Sequence, residues 1–190
     1  MNHQRIALCL SAMLLSLGSL TALAQQKLVP GQSEIVFVSK QMGVPVEGRF
    51  KKFDAQIDFD PGKPALAKIA ISVDMASATM GVRETDAELS KADWFNTDKF
   101  AQAKFQSSAI KSMGGGKFEV SGALTIKGIN QAVTVPVVLT QSGPNTMATG
   151  AFTLKRLVFK IGDNEWSDTS MVADEVQVKF KFALTGVAKL

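Results

Sequence analysis

Three carboxylates, Asp163, Glu165 and Asp168, share one stretch with Trp166, and three more, Glu84, Asp86 and Glu88, fall together in a segment of helical composition. Two carboxylates flanking a glycosidic bond would give the acid and base of a glycoside hydrolase. Asp163, Asn164, Glu165 and Asp168 would also supply the oxygen ligands that suit calcium. Spacing weakens both readings. Residues two apart on a helix do not face each other, the loop lacks EF-hand spacing, and charged loops of this kind are ordinarily solvated. Trp166 reads better as a plug packed over one end of the fold, with Arg156 as a structural partner for Asp168. Other reactive side chains are scarce. Cys9 and His3 are the only cysteine and histidine, both precede Ala24, and the chain has no tyrosine. Beyond Ala24 there is therefore no thiol nucleophile, no imidazole base and no thiolate or imidazole metal ligand. No catalytic or metal-binding residue is assigned, and the composition points to a protein that holds something rather than transforms it.

The first 24 residues read as a bacterial secretion signal. Arg5 gives a positive start, an apolar run extends from Ile6 to Leu17, and Ala22 and Ala24 frame a cleavage site of the A-x-A kind. Ser11, Ser16, Gly18 and Ser19 interrupt the apolar stretch, which falls short of the roughly 20 apolar residues of a membrane span. Residues 25–190 then form a single domain, expected in the periplasm. With no cysteine it relies on its core rather than on disulfides. Lysines are dispersed, the net charge of the whole chain is only +4, and there are two Trp, so a nucleic-acid surface is not expected.

Apolar residues recur at every second position along most of the chain, with turn residues between the runs, which is the pattern of strands with one buried face. Ile35 and Phe37 begin it. Phe53, Ala55, Ile57 and Phe59 continue it, and Ile69, Ile71 and Val73 follow the Pro61-Gly62-Lys63-Pro64 turn. Between Phe50 and Phe53 the alternation slips at Lys51-Lys52, which predicts a β-bulge bending one long strand. Phe118 to Ile126 and Val133 to Leu139, divided by Gly128, read as a hairpin. The last strands are expected over residues 146–160 and 174–190. Only Met75 to Phe100 fails to alternate; Thr85-Asp86-Ala87-Glu88 fits a capping box, predicting a short helix over 83–91 that acts as a lid or end plug. About eight long antiparallel strands close naturally into a barrel, which removes exposed edges. Such a barrel is either filled by side chains or holds one small ligand. The pattern alone leaves both open.

Four blocks resemble the YceI-like family and cover nearly all of the chain beyond Ala24. They are Ser33-x-Ile35-x-Phe37 with Gly43, Gly48-Arg49-Phe50, Phe53, Ile57 and Asp60; Asp93-Trp94-Phe95 with Phe100, Ala103-Lys104-Phe105 and Ser107; Gly122 to Gly128 with Val133, Val135 and Pro136; and Arg156, Ile161-Gly162 and Trp166-Ser167-Asp168. The resemblance implies an all-β, eight-stranded antiparallel lipocalin-like barrel with a short helix in the 76–100 segment. It further implies a periplasmic protein, commonly a homodimer, that holds a long isoprenoid or other lipid chain inside. Departures bear on the head group. Many members carry a histidine where Lys40 stands and an Arg-Asp-x-His-Leu segment where this chain has Thr85 to Leu89, so both histidines are missing. Lys40 remains as a donor for a quinone carbonyl or a lipid carboxylate. Ala101 replaces a usual proline and Asn130 a usual threonine.

All twelve phenylalanines lie beyond Ala24, giving aromatic faces without hydroxyls to satisfy. That composition suits a greasy tunnel and equally a solid core. The inward-facing candidates for a tunnel are Phe37, Phe53, Ile57, Phe105 and Leu124, together with Ile126, Val135, Phe152, Phe180 and Phe182. Lys40, Leu89, Trp94 and Phe95 are expected near the mouth. Met42, Met75, Met80 and Met171 are candidates for an adaptable lining or for ordinary gap filling. With the resemblance added, two functions are expected: a carrier of an isoprenoid, quinone-like or fatty lipid with no cofactor of its own, or a solid-core protein that docks on a membrane b-type cytochrome, with which some members of the family it resembles associate.

Overall fold

The computed structural model describes residues 26–190; the expected secretion signal lies outside the described residues. Its strands are β1 (Lys27–Leu28), β2 (Glu34–Gln41), β3 (Val44–Phe50), β4 (Phe53–Asp58), β5 (Lys68–Asp74) and β6 (Ala78–Thr79). After a helix, α1 (Arg83–Leu89), come β7 (Gln102–Gly114), β8 (Lys117–Ile126), β9 (Ile129–Ser142), β10 (Asn145–Lys155) and β11 (Glu175–Thr185). All belong to one antiparallel sheet in the order β4-β5-β7-β8-β9-β10-β11-β2-β3-β6, with β1 added beside β11.

Apart from the two-residue β6 beyond β3, the two ends of that order are the two halves of one interrupted strand. β3 pairs with β2 and β4 with β5, and the chain passes directly from one to the other at Lys51-Lys52, where the alternation slips. The Lys52 N–H donates to Ser77 Oγ at 3.0 Å, and its carbonyl accepts from the Asp74 N–H at 3.0 Å, so the break stays bonded to the neighbouring turn. The kink thus curls the sheet into a barrel. Taking β3 and β4 as one bent strand, and setting aside the two-residue β1 and β6, leaves the eight staves expected from the sequence.

Period-two alternation carries through. β8 alternates buried residues with half-exposed or exposed ones along its whole length. The β8–β9 hairpin turns on Lys127 and Gly128, both at positive φ (49° and 75°), the geometry of a type I′ turn whose twist matches the strands it joins. A register shift between Ser107 and Ala109 flips the inward phase of β7 from Ala103 and Phe105 to Ile110. Two predicted strands are shorter than the sequence suggested. β10 stops at Lys155, where Arg156–Phe159 form a 3₁₀ turn, and β11 stops at Thr185.

The helix spans Arg83–Leu89 rather than 83–91, and the Thr85 capping box is not used, because Thr85 already lies inside the helix and Val82 is the cap residue, without a side-chain bond. Asp86 instead ties the helix back to the barrel: its carboxylate accepts from Thr79 Oγ1 at 2.5 Å and from the Met80 N–H at 2.6 Å. These bonds hold its pKa below the ordinary 3.8. A carboxylate lowered on folding stabilises fully above its unfolded value and loses that contribution as pH falls through the folded one. Amide exchange over residues 79–89 is therefore expected to accelerate, relative to the barrel strands, as pH drops below 3.8; in Asp86→Asn, which cannot accept both bonds, it should already be fast at neutral pH.

Candidate functional site

The barrel is hollow. Its interior encloses a cavity of about 720 Å³, within the roughly 300–1,000 Å³ of ligand sites and equal to about two dozen water-sized volumes. Close-packed interiors leave few voids larger than one water. The solid-core alternative loses its premise on this point.

Two apolar clusters wall the cavity. One, with Ile35, Phe59, Ile110, Phe118 and Leu184, closes the far end, where Phe59 meets Phe118 edge to face at 5.1 Å. The other, with Phe37, Leu89, Phe95, Ile126 and Ile161, lies at the end covered by α1 and by the 156–173 segment. Polar groups join the wall near this second end: Ser39, Gln41, Glu84, Thr85, Glu88 and Arg156.

Along β2 the inward face reads Ile35, Phe37, Ser39, Gln41, apolar at depth and polar toward the mouth. Lys40 falls between two of these positions and is exposed on the outer face, so the mouth position expected for it is corrected by strand parity. Phe37, Ile57, Phe105, Leu124 and Ile126 line the cavity, as do Val135, Phe152, Phe180 and Phe182. Phe53 does not. It follows the Lys51-Lys52 kink, packs its ring 5.8 Å from that of Phe182, and borders a recess with Pro30, Arg49 and Lys51. Leu89, Trp94 and Phe95 belong to the wall at the helix end, and Met42, Met75, Met80 and Met171 all contribute to it. Met42 and Met171 are also the exposed members of that set, joined by the Met42 N–H bond to the Met171 carbonyl at 2.8 Å.

What keeps the lumen open was not foreseen. Gly48, Gly122 and Gly150 each face inward, and a Cβ added at any of them would lie under 3.0 Å from a phenylalanine ring: Phe37, Phe105 and Phe180 respectively. Gly48 and Gly150 are the cross-strand partners of Phe37 and Phe180. The rings lie flat on the wall, in space vacated by the missing side chains, instead of standing across the bore. Gly150→Ala is expected to push the Phe180 ring inward, at a cost of about 1–3 kcal/mol of stability for overpacking. Denaturant midpoints check the cost, and the longest alkyl chain the variant binds should be shorter than for the parent.

Arg156 departs from its expected role. It is 1% exposed, and its five N–H donors meet five main-chain carbonyls: Nε donates to Ala173 at 3.1 Å, one terminal nitrogen to Ile161 and Gly162 at 2.9 and 2.6 Å, the other to Trp166 and Val172, each at 2.7 Å. Asp168 is not among its partners. That carboxylate accepts from the Ser170 N–H at 2.8 Å, and hydrogen bonding from the Ser170 hydroxyl first and this N–H second holds its pKa below the ordinary range. The Asn164 amide donates to Asp93 at 2.6 Å. Among the described residues no three acidic or imidazole side chains converge as a cation site.

Fold and cavity together define a small antiparallel β-barrel built around an apolar ligand-sized interior. The family model described as a YceI-like domain matches residues 26–184, and the chain belongs to that family. A UPF0312 protein of Photorhabdus laumondii is 35% identical over 136 residues, covering 70% of this chain and 68% of that one. The crystal structure of BcnA from Burkholderia cenocepacia superposes with a TM-score of 0.80 at 44% identity, over 83% of this chain and 99% of BcnA. A Saccharophagus degradans domain, described as polyisoprenoid binding and implicated in plant cell wall breakdown, shares the fold at a TM-score of 0.69 and 15% identity, over 85% of this chain and 98% of its own.

Proposed function

We propose that this protein is a periplasmic carrier that holds one long apolar chain, an isoprenoid or another lipid, inside its barrel and releases it unchanged. The observation that carries this reading is the hollow interior of about 720 Å³ with a wall almost wholly of Phe, Ile, Leu, Val and Met side chains. Water gains little in such a space, and an apolar chain loses its exposure there at roughly 25 cal/mol per Å². The polyisoprenoid-binding description of the Saccharophagus degradans domain supports the ligand class by shared fold. Carriage without catalysis agrees with carboxylates that bond to backbone and amide groups rather than to one another. Secretion is argued from the leader sequence, and among the described residues no helix is long and apolar enough to cross a membrane.

The test is organic extraction and mass spectrometry of protein purified from its own periplasm, with the gently prepared native mass recorded beside the denatured one. A stoichiometric polyprenyl or fatty species is the expected result, and the native mass reports whether two copies associate. Protein that arrives empty and also refuses added quinone and fatty acid would overturn the reading and favour docking on a membrane b-type cytochrome.

A further inference from the structure

The outer rim of the barrel carries an apolar surface where the β2–β3 hairpin meets the 168–172 turn. β2 and β3 are joined by a two-residue turn at Met42 and Gly43, both at positive φ (47° and 80°). The first position of such a turn favours asparagine, aspartate or glycine. A methionine there projects a long apolar side chain at the tip: Met42 is 72% exposed, and Val44, the first residue of β3, is 62% exposed. Met171, 48% exposed, lies alongside, with its carbonyl accepting from the Met42 N–H, and Gln41 bridges to Val172. Apolar residues exposed singly are ordinary; three gathered where two loops are bonded together form a patch.

Charge is missing from the same surface. Neither 41–46 nor 169–173 contains an ionisable side chain, although 20% of the residues of the chain are charged. The charges that flank these two segments are Lys40, Glu47, Asp168 and Asp174, one cation among three acids. Such a rim has nothing to attract anionic lipid. What favours its leaving water is its apolar area alone.

Position says what would cover it. Met42 and Met171 are surface residues and also members of the cavity wall. Along β3 the inward-facing series Phe50, Gly48 and Val46 runs on to Val44 at the tip. On this strand the apolar lining therefore continues from the lumen to the outside. A lipid chain leaving over this rim keeps apolar contact until it is clear of the barrel, and its unfavourable step is the passage through water that follows. A rim seated in the boundary of a bilayer removes that step. Methionine, unbranched and flexible, suits a threshold that must adapt to a moving chain.

We propose that the β2–β3 hairpin tip and the Met171 turn form a membrane-docking rim. It inserts Met42, Val44 and Met171 into the surface layer of a neutral phospholipid bilayer, so that the carried chain passes between bilayer and lumen without crossing water. This rests on the carrier reading above and adds the partner with which the chain is exchanged.

In the test, purified protein is loaded with retinol, a fluorescent isoprenoid alcohol, and mixed with phosphatidylcholine vesicles that contain a lipid-linked quencher. The transfer rate is expected to rise in proportion to vesicle concentration, because exchange occurs on contact. It should change less than about twofold when salt is raised about tenfold, and vesicles containing phosphatidylglycerol should be no faster. Val44→Glu alters a tip residue outside the cavity lining and is expected to slow transfer at least about tenfold, with retinol affinity kept within about twofold. The double variant Leu66→Glu, Met113→Glu changes two comparably exposed apolar residues at the far end, one just before β5 and one near the end of β7, and should transfer at the parent rate. Flotation of the protein with unlabelled vesicles tests docking without a bound chain, the parent floating and Val44→Glu staying behind. A transfer rate independent of vesicle concentration would mean that the chain leaves through water, which overturns the rim and keeps the carrier. Equal slowing by the far-end variant, or none by Val44→Glu, would also overturn it. Protein that neither holds retinol nor floats with the vesicles removes carrier and rim together.

Discussion

Ile126→Lys is expected to yield a folded barrel that retains no long apolar chain, with affinity lowered more than about 100-fold. Ile126 is the last residue of β8, 7% exposed, and lies in the apolar cluster at the helix end of the cavity with Leu124, Phe159 and Ile161. An ammonium facing hydrocarbon without a partner costs several kcal/mol. At this position the fold survives, because a lysine stem can run along the wall and carry its charge toward water at the mouth; what it cannot do is share the bore with a lipid tail. Phe180→Lys offers the contrast. Phe180 stacks on Phe182 at 4.9 Å and over Gly150, deeper along β11, so a lysine there has a longer path to water and is expected to lower stability as well as retention. Extraction and mass spectrometry of each variant, beside its thermal melt, separates the two effects. A folded Ile126→Lys protein that still carries a stoichiometric chain would place the ligand elsewhere.

The fold was legible because a period of two is a local signal. Each strand states its own buried face, and the slip at Lys51-Lys52 marked where the sheet turns to close. Lys40 shows the limit of borrowing a position from relatives: strand parity with Ile35 and Phe37 already put it outside. Phe53 shows the opposite limit, since its parity with Ile57 is right and its ring packs on Phe182, yet it stands beside the kink and does not reach the cavity wall. Whether the barrel is hollow was not readable, because that depends on glycines opposite phenylalanines. Gly150 meets Phe180 and Gly48 meets Phe37 only once cross-strand register is fixed, and register is not written in either strand alone. The two indoles are adjacent for a similar reason: Trp94 and Trp166 are joined by bonds from Asp93 to the 162–163 backbone, far away in sequence. The charge pattern suggested an ion pair for Arg156, and charge was the wrong clue, since its partners are carbonyls that no side-chain identity reveals.

That correction carries the second large expected effect. The chain from Arg156 to Asp174 leaves the sheet and folds into short 3₁₀ turns, so many of its carbonyls lack ladder partners, and buried backbone acceptors must find donors somewhere. A guanidinium has five N–H groups in a rigid fork and no acceptor. Here all five are spent on Ile161, Gly162, Trp166, Val172 and Ala173, which makes one side chain the internal scaffold of the whole segment. Arg156→Met keeps the stem and removes every donor, stranding those carbonyls; a loss of about 3–5 kcal/mol is expected, lowering the melting temperature by on the order of 10 °C. Arg156→Lys retains a cation, but three donors on a flexible stem cannot reproduce the fork, so most of the loss should persist. Asp168→Asn, by contrast, is expected to stay within about 1 kcal/mol of the parent, because the exposed Asp168 carboxylate bonds only within its own turn, to Ser170, and its carbonyl bonds to Met171 and Val172 survive the change. Denaturant unfolding of the three variants decides between carbonyl scaffold and ion pair: comparable losses for Arg156→Met and Asp168→Asn would restore the pair. The scaffold also sets where Trp166 sits, since its carbonyl is one of the five. Its emission is therefore expected to shift toward that of a water-exposed indole in folded Arg156→Lys, coupling the stability of this segment to the shape of the cavity mouth.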